Sequence, residues 1–229
     1  MCEWVAQEKP DVLCLQELKA EPTQIPEECK LADYHVFWHG LRAYSGVSLH
    51  IRKELVENPN FIHPEFDMES RIVTAQIGNV VFASIYVPNG GKDYAAKLRF
   101  FEALIAWARR LTGEGRELVL CGDYNIARTE MDVHPRERKP VIGQRPEERE
   151  MFERLLGTQL VDVGRAKDPQ NENLFTWWAP WRNMRQRNIG WRLDYVLASP
   201  SIAARAESCG VLAHIGTSDH APVVMIAPA

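Results

Sequence analysis

Four places in the chain set acids, amides or a histidine at the ends of apolar runs. Glu17 follows Val12-Leu13-Cys14-Leu15. Asp123 and Asn125 follow Leu118-Val119-Leu120-Cys121-Gly122. Asp194 lies within Arg192-Leu193-Asp194-Tyr195-Val196-Leu197, and Asp219-His220 precedes Val223-Val224-Met225-Ile226. An extended segment has a period of two, so Asp123 and Asn125 share a face. A carboxylate and an amide side by side at a strand end can hold a reacting oxygen or a water on a metal. Each place also has a plainer reading. Gly-Asp-Tyr-Asn and Ser-Asp-His are turn sequences for their own backbone reasons. Glu17 alone could be a solvated strand end, and Asp194 could pair with Arg192 or a loop arginine. His220 could be a satisfied core histidine. Taken together, the four mark one kind of position and supply complementary chemistry.

The elements that must position these groups are legible in outline. Cys2 to Lys9 is helix-compatible, and Pro10 stops it. Val12 to Leu15 reads as a strand covered on both faces. Tyr34 to Trp38 and Ser45 to Ile51 read as strands. Ile72 to Ile77, Gly78-Asn79 and Val80 to Val87 form a hairpin signal with a two-residue turn. Leu98, Phe101, Leu104, Ile105, Ala108 and Leu111 recur at three- and four-residue spacing, which predicts an amphipathic helix over 93–111. A second helix is expected from Arg149 to Leu156. Leu174 to Trp178, Arg192 to Leu197, Val211 to Ile215 and Val223 to Ile226 are the remaining predicted strands. Residues 21–35 read as a surface loop, and 128–149 as a polar stretch with room only for short helical turns. Strands outnumber helices and often lie as neighbours, which suggests two packed sheets with helices outside.

Composition narrows the class. A length of 229 residues suits one or two domains and a sizeable core. The formal charge of −4, from 31 acidic and 27 basic residues, does not advertise a polyanion partner. A local basic surface can still hide inside it. The five cysteines (Cys2, Cys14, Cys29, Cys121, Cys209) are odd in number and widely spaced. They read as reduced thiols of a cytoplasm rather than a disulfide frame or zinc site. No apolar run approaches the ~18 residues of a membrane span, and no signal peptide is seen. No membrane partner is expected, and the expected location is intracellular, in a bacterial cytoplasm at the nucleoid.

In combination the residues resemble the exonuclease III family of apurinic/apyrimidinic endonucleases, within the endonuclease/exonuclease/phosphatase superfamily. The matching segments are Leu15-Gln16-Glu17-Leu18-Lys19, Tyr44-Ser45-Gly46-Val47, Tyr86-Val87-Pro88-Asn89, Cys121-Gly122-Asp123-Tyr124-Asn125, Asn188-Ile189-Gly190-Trp191-Arg192-Leu193-Asp194-Tyr195 and Ser218-Asp219-His220-Ala221-Pro222. They occur in the family's order. The Gly-Asp-Tyr-Asn and Ser-Asp-His segments belong to the whole superfamily, while Trp-Arg-Leu-Asp-Tyr and Leu-Gln-Glu-Leu-Lys narrow it to the DNA-repair branch.

The resemblance implies an α/β fold, a four-layer αββα sandwich of two packed mixed sheets flanked by helices (DNase I-like), in a single domain over 1–229. It implies a Mg2+-dependent nuclease, with Mn2+ as an alternative ion. Such an enzyme hydrolyses the phosphodiester 5′ to abasic sites in double-stranded DNA and trims 3′ ends, as a monomer. Glu17 would be a metal ligand, with Asp219 near the metal. Asp123 would align the attacking water and Asn125 would orient it. His220, held by Asp194, would stabilise charge on the phosphoryl oxygens, and Tyr86 would contact the scissile phosphate or leaving group. Trp177, Trp191 and Leu193 would hold the flipped abasic sugar. Lys92 sits where some relatives insert an arginine into the duplex. Arg182, Arg185 and Arg187, with Lys92, Lys97 and Arg128, would bind backbone phosphates. The family also begins with a further strand ending in asparagine, so the resemblance makes this chain N-terminally incomplete, by roughly 20 residues. The alternatives are a non-catalytic or crippled DNA-binding relative, or a broader nuclease or phosphatase of the superfamily.

Overall fold

Apolar runs with a period of two become strands, and those with three- and four-residue spacing become helices. The computed structural model describes every residue except Met1, Arg42, Ala43, Thr217 and Ala229, and the side chains of all the rest but Cys2 and Glu28. Two compact units divide the chain: Met1–Tyr86 with Val119–Gly122, and Val87–Leu118 with Asp123–Ala229.

The first unit opens with α1 (Cys2–Glu8) and β1 (Val12–Gln16). β3 (Tyr44–Arg52) lies between β1 and β2 (Tyr34–Leu41), antiparallel to both. β4 (Asn60–Ile62), β5 (Ile72–Ile77) and β6 (Val80–Tyr86) form an antiparallel meander, with β7 (Glu117–Asp123) next to β6. Gly78 makes the expected hairpin turn at φ +58. The two sheets pack face to face through Val47, Leu49 and Ile51 of β3 and Val73, Ala75 and Tyr86 of the second sheet. Each such aliphatic side chain contributes about 1.5–3 kcal/mol by leaving water. The pairing of Gln16 with Val47 brings the end of β1 beside Ser45 and Gly46 of β3. There Leu18 and Lys19 donate their amides to Gly46 O and Ser45 O, at 3.2 and 2.8 Å. This anchors the residue between them and β1, Glu17.

In the second unit, α2 (Tyr94–Gly113) starts where the Asp93 side chain accepts from the Ala96 amide. It buries Phe100, Phe101, Leu104, Ile105 and Ala108. α3 (Pro146–Leu156) packs against α2, with Phe152 6.3 Å from Phe101 between ring centroids. It begins three residues before the expected Arg149. Pro146 suits the first helical position, and the Glu148 carboxylate accepts from the Arg145 amide at 3.1 Å. β9 (Asp194–Ala198) pairs with β8 (Val161–Asp162), and β10 (Ser208–Val211) with β11 (Val223–Ile226). Short helices α4 (Val163–Lys167) and α5 (Pro200–Arg205) complete the unit.

Two expected strands differ. Leu174 to Trp178 is not a strand, because only Trp177 makes bridges, to Trp191 and His220. Residues 212–215 turn, with Ile215 N–H donating to Leu212 O, so β10 ends where the expected strand was to begin. Among the described residues no helix is long and apolar enough to cross a membrane.

Candidate active site

In the first unit, Glu17 leaves β1 with φ +56, a left-handed conformation that aims its side chain off the strand end. Its Oε1 accepts a short hydrogen bond from the Tyr86 hydroxyl, and its Oε2 lies 3.0 Å from Lys19 Nζ. The Glu17 side chain is 40% exposed, so this ion pair sits in solvent. Such pairs are weak and exchangeable. Tyr86 is buried and lies under the Arg71 guanidinium, 4.8 Å from its ring centroid. Glu69 fixes that guanidinium with two hydrogen bonds, of 3.1 and 2.9 Å.

The end of β7 has a steric requirement. A Cβ on Gly122 would lie 1.9 Å from Ile85 O, so no other residue fits there. Beyond it, in the second unit, Asp123 is only 3% exposed. Both donors of Asn125 reach its carboxylate. The backbone N–H is 2.8 Å from Oδ1 and Nδ2 is 3.1 Å from Oδ2. Asn125 Nδ2 also donates to Val87 O, and Asn125 Oδ1 accepts from Asn89 Nδ2. Asn125 therefore orients Asp123 itself.

Asp194, at the start of β9, has its oxygen Oδ2 2.9 Å from His220 Nδ1. It does not pair with Arg192, whose guanidinium is held by Asp132 and Asp162. Burial opposes charge on His220. Asp194, with Asp123 and Asp219 further off, outweighs this and raises its pKa to about 10. Such a shift favours the imidazolium, a donor of charge and hydrogen bonds. The buried Thr176 hydroxyl accepts from the amides of Leu193 and Asp194, and Thr176 O accepts from Ala221. One residue thus sets both halves of the acid–histidine pair. Trp178 N–H donates to Asp219 O, and Trp177 Nε1 donates to Asp219 Oδ2 at 3.0 Å.

Trp177, Trp191 and Leu193 come together as one apolar cluster with Ala127 and Val133. The two indoles meet edge to face at 5.7 Å. Trp191 Nε1 is buried with no acceptor among the described residues, which leaves a donor for a bound oxygen.

The cations divide in a way the sequence reading did not anticipate. Lys92, Arg182 and Arg187 are exposed. Arg128 is bound to Glu153 and Asp162. Lys97 is buried. Arg185 donates to the carbonyls of Ala213, Ile215, Ser218 and His220 and stacks on Trp178 at 4.9 Å. These last three are structural cations, which corrects their expected place among phosphate-binding residues. Arg71, Asn89 and Thr176 were unassigned in the sequence. A polar residue inside an apolar stretch was the available signal for Thr176.

Residues 1–220 match the family described as "Endonuclease/Exonuclease/phosphatase family". An exodeoxyribonuclease of Bacillus subtilis (strain 168) is 33% identical over 97% of this chain and 90% of its own length. The DNA repair nuclease APEX1 of Danio rerio is 32% identical, over 97% and 75%. A Neisseria 3′ phosphatase, solved with a product DNA hairpin, superposes with a TM-score of 0.89 at 30% identity, covering 99% of this chain and 92% of its own. An AP endonuclease from Archaeoglobus fulgidus gives 0.88 at 27%, covering 100% and 93%. The mixed α/β fold with two packed sheets is the fold of these enzymes.

Proposed function

We propose, for a chain that belongs to the endonuclease/exonuclease/phosphatase family and within it to the exonuclease III type, that this phosphodiester hydrolase incises duplex DNA 5′ to abasic sites and trims 3′ ends. The observation that supports it most is the fixed Asp123 carboxylate, held by both donors of Asn125, in the same unit as the Asp194–His220 pair. Asp123 takes the proton of the attacking water, and Asn125 keeps its carboxylate aimed. The imidazolium of His220 faces the developing phosphoryl charge, and Asp194 holds its ring orientation. The Tyr86 hydroxyl serves the scissile phosphate or the leaving oxygen.

The residues fit a divalent cation. Glu17 is a half-exposed hard carboxylate that already draws an ammonium. Among the described residues no three His, Cys, Asp or Glu side chains are grouped as a metal cage would need. A hard carboxylate such as Glu17 suits an ion that keeps most of its waters, such as Mg2+, with Mn2+ as an alternative. Glu17 would hold it, and the ion would neutralise charge on the phosphoryl oxygens.

Trp177, Trp191 and Leu193 form the sugar pocket, with the Trp191 indole N–H as its free donor. A base-less nucleotide has lost its stacking and is cheap to extrude, whereas a normal nucleotide is not. Lys92, Arg182 and Arg187 contact backbone phosphates. A second reading, 3′-end processing without internal incision, draws on the likeness to the Neisseria 3′ phosphatase. Three labelled duplexes test both: one with an internal abasic site, one intact, and one ending in a 3′-phosphate. Incision confined to the abasic duplex and phosphate release from the third are expected. Equal cutting of the intact duplex would sink the specificity, and phosphate release alone would establish the second reading.

A further inference from the structure

We propose that the buried Lys97–Glu148 pair is a positioning element for Asn125, and through it for Asp123, which rests on reading Asp123 as the group that aligns the water. Lys97 is 1% exposed and Glu148 0%. They pair at 2.5 Å. An ion pair taken wholly out of water gains little net stability, and well-packed apolar residues often do as well. This one is placed for geometry. Lys97 Nζ donates to Asn125 O at 2.8 Å and to Asn89 O at 3.3 Å, and its charge lies against Glu148 Oε1. The other oxygen of Glu148 accepts the amides of Gly143 and Arg145 at 2.7 and 3.1 Å. Gly143 O in turn accepts from Ala127 N, two residues after Asn125.

The ammonium acts on an unusual backbone. Asn125 has φ +51, a left-handed conformation that costs most side chains about 1 kcal/mol and asparagine less. In that conformation its carbonyl points at Lys97, and its N–H and Nδ2 point at Asp123. Asn89 is held by the same ammonium through its carbonyl and donates its own side-chain amide to Asn125 Oδ1. Lys97 thus fixes the backbone of Asn125 directly and its side chain through Asn89. Neither residue of the pair touches the carboxylate of Asp123 in these contacts, so both are positioning residues.

The test uses the double variant Lys97→Met/Glu148→Gln. The methionine replaces the lysine stem, and the new side-chain amide keeps an oxygen for the Gly143 and Arg145 N–H groups, so no charge is left buried alone. Amide hydrogen exchange at Asn125 is read against Leu120 in β7. Kinetics are read on the abasic and 3′-phosphate duplexes, alone and combined with Asn125→Ala. Exchange at Asn125 should rise about 10-fold or more with Leu120 unchanged. kcat should fall about 10- to 100-fold with KM within about 3-fold, and the loss should largely vanish when Asn125→Ala is already present. Unchanged exchange at Asn125, unchanged kcat, or losses that multiply with those of Asn125→Ala would each overturn the positioning role. If the unaltered protein acts on neither duplex, the functional reading fails on its own, and the exchange at Asn125 still decides whether the pair positions it.

Discussion

The two units carry their polar groups in opposite ways. In the first, Glu17 sits half in solvent at a left-handed residue, and its carboxylate is shared between a buried tyrosine and an exposed lysine. In the second, Asp123 is buried and bonded twice by Asn125, which is itself bonded by Asn89, Val87 and Lys97. A carboxylate that must exchange one cation for another gains from solvent and a weak partner. A carboxylate that must aim a water gains from being fixed before the substrate arrives. On the proposed reading, adaptable binding falls to the first group and preorganised chemistry to the second.

Asp123→Asn should break the second group most severely, lowering kcat by about 10³-fold or more with DNA binding nearly intact. Single-turnover cleavage checks it, and full residual activity would remove Asp123 from the chemistry. Arg185→Met should come next. It deletes a guanidinium bonded to four carbonyls of the segment that carries Asp219 and His220. We expect a loss of about 10- to 100-fold in activity and about 2 kcal/mol in stability, measured by kinetics and denaturant unfolding. Stability lost without activity would show that the His220 segment does not depend on this cation.

His50 sharpens the comparison from the first unit, where its ring is wholly buried. Its Nε2 lies 2.9 Å from Ser48 Oγ, while Nδ1 has no partner among the described residues. Burial lowers its pKa to about 4. The unfolded chain therefore binds a proton that the folded one refuses between about pH 6.5 and 4. Stability falls as pH drops through that window, by up to about 3 kcal/mol. Unfolding of His50→Leu should show that slope flattened; an unchanged slope would place the acid sensitivity elsewhere. The smallest effect belongs to Lys19→Ala, which should tighten divalent-ion dependence about 2-fold by freeing Glu17 of its exposed ammonium. A looser dependence would mean that Lys19 supports the ion.

The strand ends that carry Glu17, Asp123 and Asp194 were legible because apolar runs are local signals, whereas Asn125 reaches Asp123 from a left-handed residue beyond β7 and not by the expected period of two. The Gly78-Asn79 hairpin and α2 were legible for the same reason. Lys97 was misread, although its signal was present. With Phe101, Leu104 and Ala108 it falls on the apolar stripe of α2, just as Glu148 falls with Met151, Phe152 and Leu155 on that of α3. A charge on each of two buried stripes implies a buried pair. Arg185 carried no such signal, because its four carbonyl partners lie 28 to 35 residues away. Leu174 to Trp178 has strand composition, yet its partners, Trp191 and the His220 segment, arrive one bridge at a time. Local pattern cannot show that.

A titration of activity against Mg2+ tests the division between the two groups most directly, with the unaltered protein, Glu17→Gln and Asp123→Asn side by side. Glu17→Gln should need about 10-fold or more Mg2+ and recover most of its kcat when saturated, while Asp123→Asn should stay inactive at every concentration. Recovery of Asp123→Asn by Mg2+, or a Glu17→Gln protein whose Mg2+ dependence matches the unaltered one, would contradict the account.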